Sequence, residues 1–152
     1  MDSRDRRLQP YGDEHMRGAQ RVCIVDADPY HVKVMGLMLQ FHNAYKTFSF
    51  DNVERAWTYT LMFRPHAIVC DWRLKPVDGM GLLRRVRGHR MTRDIPFLMV
   101  SDEASEDECR RAIAEGADAL LPKPFNLSLF HDAVAQAAHR RHSANSPHAE
   151  GY

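Results

Sequence analysis

Between Arg21 and Arg140 the sequence alternates five times between a short apolar run and a longer amphipathic stretch, and this alternation restricts the fold more than any other feature. The apolar runs are Val22–Val25, Tyr45–Phe48, Ala67–Cys70, Phe97–Val100 and Ala119–Leu121. Those at 22–25, 67–70 and 97–100 are continuously apolar, which suits parallel strands covered on both faces. The stretches between them carry helix punctuation. Asp28-Pro29 sets a capping acid before a proline suited to a first helical turn, with Val32, Met35 and Leu39 following at helical spacing. Asp51 and Glu54, and again Ser105 and Glu108, have the three-residue spacing of a capping box. Gly116 is placed to end the fourth helix, and Asn126 to cap a fifth through Leu129, Phe130, Ala133, Val134 and Ala137. The expected fold class is therefore α/β, a doubly wound five-stranded parallel sheet with right-handed crossovers and helices on both faces.

The 152 residues suit one domain. The polar first twenty residues lack periodicity and read as a flexible N-terminal arm (1–20) ahead of a domain over 21–140 and a flexible tail over 141–152. A net charge of +1 gives no reason to expect nucleic acid or an anionic membrane as partner. No apolar run approaches the roughly 20 residues of a membrane span, and the N-terminus carries no secretory signal. Cys23, Cys70 and Cys109 are odd in number and lack close pairing. Reduced thiols in a cytoplasmic protein are the expectation.

In a sheet of this kind, function gathers at the carboxyl ends of the strands. Those ends hold Asp26 and Asp28 after the first strand, Asp71 after the third, Ser101 after the fourth and Lys123 after the fifth. An acid cluster suits a hard cation such as Mg²⁺. A carboxylate within the cluster can act as an acyl-phosphate nucleophile once that cation screens the incoming phosphoryl group. A hydroxyl and an ammonium on flanking strands can hold the phosphoryl oxygens of the product.

The stretches RVCIVDADP, HAIVCDWRLKPVDG, PFLMVS and GADALLPKPF together resemble the receiver domain of bacterial response regulators, over about residues 20–140. The resemblance implies a flavodoxin-like (βα)5 fold, with Asp71 as phosphoacceptor and Ser101 and Lys123 as the switching hydroxyl and the phosphoryl-binding ammonium. It implies a Mg²⁺ site built from Asp26, Asp71 and the Arg73 carbonyl, and a cis bond at Lys123-Pro124. The donor would be a histidine kinase or histidine phosphotransferase, and the output a contact with a downstream protein. The chain is too short after its last helix for an output domain, so a single-domain regulator, not itself an enzyme, is expected. A homodimer through the face of the fourth helix, fifth strand and fifth helix is open.

Several positions depart from the family pattern. Ala27 stands where the family has a second acid that binds the cation directly, so a weakened metal site is expected. Asp28 either replaces that ligand or caps the helix at Pro29, and the cap is the favoured reading. Asp102 adds a carboxylate at the mouth of the phosphoryl site, and Leu120 replaces the aromatic that often switches orientation. Lys75 precedes Pro76, one position later than the usual proline. By the resemblance, Arg73 and Glu103 match positions that flank the approach of hydrolytic water in the family, and a pair between them is expected to slow loss of the phosphoryl group. Arg84, Arg85, Arg87, Arg90 and Arg93 form a basic stretch, read as a solvated face. Two other functions stay open: a degenerate receiver that works by protein contact without phosphorylation, and, more remotely, a haloacid-dehalogenase-type phosphatase with Asp26 as nucleophile and Asp28 as general acid.

Overall fold

The computed structural model describes residues 20–41 and 45–144. It contains β1 (Gln20–Val25), α1 (Pro29–Gln40), β2 (Tyr45–Phe50), α2 (Val53–Phe63), β3 (Ala67–Asp71), α3 (Gly79–Gly88), β4 (Phe97–Ser101), α4 (Glu106–Ala114), β5 (Ala119–Pro122) and α5 (Leu127–Ala144). The five strands form one sheet in the order β2-β1-β3-β4-β5, and every neighbouring pair is parallel. The expected fold class is the observed one. Gln20 already belongs to β1 and α5 runs on past Arg140, while the rest of the expected arm and the tail beyond Ala144 lie outside the described residues.

Alternation along the strands divides the core in two. Cys23, Val25, Ile68, Cys70, Phe97 and Met99 point to one face and pack with Val53 and Ala56 of α2, Leu83 and Val86 of α3, and Ala112 of α4. Val22, Ile24, Val69, Leu98 and Val100 point to the other, against Met35 and Leu39 of α1 and Phe130 and Val134 of α5. This is why β1, β3 and β4 read as continuous apolar runs: both pleat faces are covered. The two edge strands, β2 and β5, are half-exposed, and on β2 Phe48 stacks on Tyr59 at 5.1 Å between ring centres.

Two capping expectations need correction. The α2 cap is Asn52, not Asp51: the Asn52 side chain accepts from the Arg55 N–H at 3.0 Å, and Asp51 accepts from the Asn52 amide instead. The capping box at α4 forms only by half. Ser105 Oγ accepts from the Glu108 N–H at 3.2 Å, but the Ser105 N–H donates to the Glu103 carbonyl at 2.8 Å, leaving the Glu108 carboxylate uncommitted to the cap. Asp28 and Asn126 cap α1 and α5 as expected.

The basic stretch is not a uniformly solvated face. Arg84 pairs with Glu115 and Arg85 with Glu54, both at the surface. The Arg87 side chain is mostly buried, 3.1 Å from Asp118, and donates to the carbonyls of Gly116, Arg93 and Ile95. Asp118 also accepts from Arg141 and from the Phe97 N–H, so one buried carboxylate links α3, β4 and α5. Burial and the nearby Arg141 push the Arg87 guanidinium down to about 10, although Asp118 pulls the other way.

Candidate functional site

The carboxyl ends of β1, β3, β4 and β5 bring Asp26, Asp71, Ser101 and Lys123 into one pocket. Asp26 is 2% exposed and Asp71 8%, and Ser101 is fully buried. The Lys123 ammonium lies 3.0 Å from Asp26 Oδ2 and 3.6 Å from Asp71 Oδ2, so it bridges the two carboxylates. Burial of two acids this close is tolerated only with such a counter-charge. Burial is also the largest influence on Asp71 and pushes its carboxyl above the usual range. Lys123 pulls it down, and Asp26 and, more weakly, Asp102 push it up.

Local backbone geometry aims the acceptor. Asp71 is the last residue of β3, and its Oδ1 accepts from the Arg73 N–H at 3.3 Å. The chain then folds back. The Gly79 N–H donates to the Trp72 carbonyl at 2.9 Å, and Asp78 caps α3 by accepting from the Gly81 N–H at 3.0 Å. A Cβ at Gly79 would stand 2.5 Å from the Asp71 carbonyl oxygen and 3.0 Å from the Trp72 Cα. The Asp78-Gly79 pair therefore owes its place to close approach: any larger residue would push the acceptor strand aside. Both Lys75-Pro76 and Lys123-Pro124 are cis, the second as expected.

The departures also have definite places. Ala27 is exposed and lines an open cleft of about 360 Å³ with Asp26, Lys33, Ser49 and Arg55. Asp28 is held by its capping role, with Oδ1 accepting from the Tyr30 N–H at 2.9 Å, while its own N–H donates to Asp26 Oδ1. That engagement favours the cap over a replacement ligand, and it also occupies the general acid that the phosphatase reading requires. Asp102 is exposed on the rim of a cleft shared with His31 and Lys123. Leu120 is half-buried against the core that contains Ala112 of α4, an aliphatic contact with no ring to reorient.

Arg73 and Glu103 do meet, at 3.5 Å, but Arg73 makes a tighter ion pair with Glu108. The other Glu108 oxygen accepts from Ser101 Oγ at 3.4 Å. Sequence reasoning assigned Glu108 to a helix cap and missed its place in the site. It missed His31 as well, whose Nδ1 lies 3.1 Å from the Lys123 ammonium and 3.5 Å from Asp26 Oδ2. The available signal was spacing: His31 sits three residues after Asp28, on the same side of the first turn of α1.

The donor set suits a hard cation in kind but is short in number. Asp26, Asp71 and the Arg73 carbonyl offer oxygen only. Among the described residues no group of three or more His, Cys, Asp or Glu side chains is placed to hold a metal ion. Nor is any helix among them long and apolar enough to cross a membrane.

Residues 22–135 match the family model described as the response regulator receiver domain. Among curated proteins the chain is similar to the phosphate regulon transcriptional regulatory protein PhoB of Pseudomonas aeruginosa, with 28% identity over 105 residues, 69% of this chain and 45% of that one. It thus spans about half the length of the PhoB proteins it matches. Among solved structures it resembles the chemotaxis response regulator CheY4 of Vibrio cholerae, with a TM-score of 0.73 and 22% identity over 78% of this chain and 98% of that one. It also resembles the receiver domain of the sensor histidine kinase PA1611 of Pseudomonas aeruginosa, solved with a magnesium ion in its active-site cleft. There the TM-score is 0.73 and the identity 21%, over 80% of this chain and 98% of that one.

Proposed function

This chain belongs to the response regulator receiver domain family of two-component signalling, and we propose that Asp71 accepts a phosphoryl group and that the protein signals by contact with another protein. The observation that carries the proposal is the buried Asp71 carboxylate at the end of β3, bridged by Lys123 to Asp26 and facing the Ser101 strand end. The donor is a phosphohistidine of a histidine kinase or histidine phosphotransferase. An Asp71 oxygen attacks phosphorus, the P–N bond breaks, and its electron pair stays with the departing imidazole, which takes up a proton.

The residues of the chain prepare that step in three ways. The Arg73 N–H fixes one Asp71 oxygen and leaves the other toward Lys123. Lys123, already in the pocket, transfers its ammonium from the two carboxylates to the phosphoryl oxygens. Ser101 donates its hydroxyl to the same group, and the displacement at the end of β4 biases the face of α4, β5 and α5 between two arrangements. Mg²⁺ held by Asp26, Asp71 and the Arg73 carbonyl would screen the charge that builds at phosphorus. Ala27 offers no oxygen and Asp28 caps α1 through Oδ1, so the site would hold the ion less tightly. In this reading the protein is a cytoplasmic signalling module rather than an enzyme.

The missing ligand at Ala27 supports one second reading, a receiver that signals by contact without being phosphorylated. Exposure to a small phosphodonor with Mg²⁺, followed by peptide mapping, separates the two: the first reading requires the phosphoryl group on Asp71.

A further inference from the structure

Glu108 lies outside every role described so far for phosphoryl transfer, yet its carboxylate sits between the Arg73 guanidinium at the pocket mouth and the Ser101 hydroxyl that the phosphoryl group is to receive. One oxygen pairs with Arg73 on the β3–α3 loop and the other accepts from the Ser101 hydroxyl at the end of β4. The side chain is 18% exposed, well shielded for a glutamate near a helix start. Its sequence position offers a simpler partner, because it stands three residues after the Ser105 cap. That partner is taken: the Ser105 N–H already donates to Glu103. The carboxylate is turned into the pocket instead, where α4 contributes a negative charge to the donors of the phosphoryl site.

We propose that Glu108 is a positioning residue that stands in for the phosphoryl group in the resting protein, holding Ser101 and Arg73 and tying α4 to the site until a phosphoryl group displaces it. Ser101 has one hydroxyl proton to donate. While Glu108 accepts it, a phosphoryl oxygen on Asp71 cannot. The hydroxyl must therefore exchange one anion for the other, and the exchange frees the first turn of α4. The Ser101–Glu108 contact is long at 3.4 Å, which keeps the hold weak enough to be displaced. Leu120 leaves no aromatic ring to report the Ser101 position, and the Glu108 carboxylate supplies a polar route from Ser101 to α4 in its place. The inference rests on Asp71 being the acceptor.

The test compares wild type with Glu108→Gln, which keeps shape and loses charge, and with Glu108→Asp, which keeps charge and shortens the reach. Each is incubated with phosphoramidate and Mg²⁺ and followed by intact mass, and amide exchange in α4 is measured before the donor is added. Glu108→Gln is expected to acquire its phosphoryl group about tenfold faster, the low end of what hydrogen bonds to charged groups contribute. Its α4 amides should exchange faster while those of α2 and α3 do not change, and Glu108→Asp should fall between. In a Ser101→Ala background most of the gain should vanish. Equal rates in wild type and Glu108→Gln, unchanged α4 exchange, or a gain that survives Ser101→Ala would each overturn the inference while leaving Asp71 as acceptor. No adduct on any of the proteins would instead sink the acceptor reading, and the role of Glu108 with it.

Discussion

In the proposed Mg²⁺ site, Ala27 puts a methyl group at the position beside Asp26 where a carboxylate could add an oxygen ligand, and the neighbouring Asp28 is held as the cap of α1. Restoring that oxygen is the simplest manipulation of the site. Ala27→Asp is expected to tighten Mg²⁺ binding by about tenfold or more, read as a shift in the midpoint of Trp72 emission, since Trp72 adjoins the acceptor. Unchanged affinity would mean that the residue at 27 does not face the cation. Asp71 itself gives a prediction with a definite sign. Its carboxyl is raised chiefly by burial, so the folded protein holds that proton more tightly than the unfolded chain does. The ionised group therefore costs stability, and the cost is fully present above the folded value and fades as pH falls through it. Without divalent cation at neutral pH, Asp71→Asn should melt above wild type, and the gap should narrow on acidification. A variant that melts lower at neutral pH would show that the Lys123 bridge outweighs burial.

Among the elements, α3 and α4 separate what pairing does at the surface from what it does inside. Arg84 and Arg85 hold their acids in solvent, where ion pairs contribute little. Arg87 is enclosed and satisfies three carbonyls as well as Asp118. Arg87→Met should cost about 3 kcal/mol in denaturant unfolding, because a buried carboxylate loses one of its two guanidinium partners. The same change at Arg84 or Arg85 should barely move the midpoint. Such differences among neighbouring arginines are invisible in a sequence, where 84, 85 and 87 read alike, since burial depends on the turn that returns α3 toward β4 and β5. The strands were legible because Val22–Val25, Ala67–Cys70 and Phe97–Val100 are apolar at every position, which only two-sided cover explains. The caps at Asp28 and Asn126 were legible for the same local reason, as each needs only its own next turn. Asp51 against Asn52 was not, since adjacent residues both have capping side chains and backbone direction decides between them. Glu108 and His31 were missed because their partners, Arg73 and Ser101, and Lys123, come from other elements.

For the molecule as a whole, the two cores on either face of one sheet leave the carboxyl ends of β1, β3, β4 and β5 as a place where Asp26, Asp71, Ser101 and Lys123 collect. Of the core thiols, Cys70 reaches this end only through the backbone, donating to the Asp71 carbonyl at 3.3 Å. Burial pushes Cys23 up to about 12 and Cys70 well above its ordinary value, so both stay protonated among apolar neighbours. The pocket concentrates negative charge from Asp26, Asp71 and Asp102 around one ammonium, an arrangement that resists an incoming phosphoryl group unless a cation or Lys123 offsets it. Whether the balance permits transfer is the central matter, and one measurement addresses it. Wild type and Asp71→Asn are incubated with phosphoramidate over a range of Mg²⁺ concentrations and weighed intact. Wild type is expected to gain a single phosphoryl adduct that grows with Mg²⁺ and is absent from Asp71→Asn. An adduct of equal size on both proteins, or none on wild type at any Mg²⁺ concentration, would contradict it.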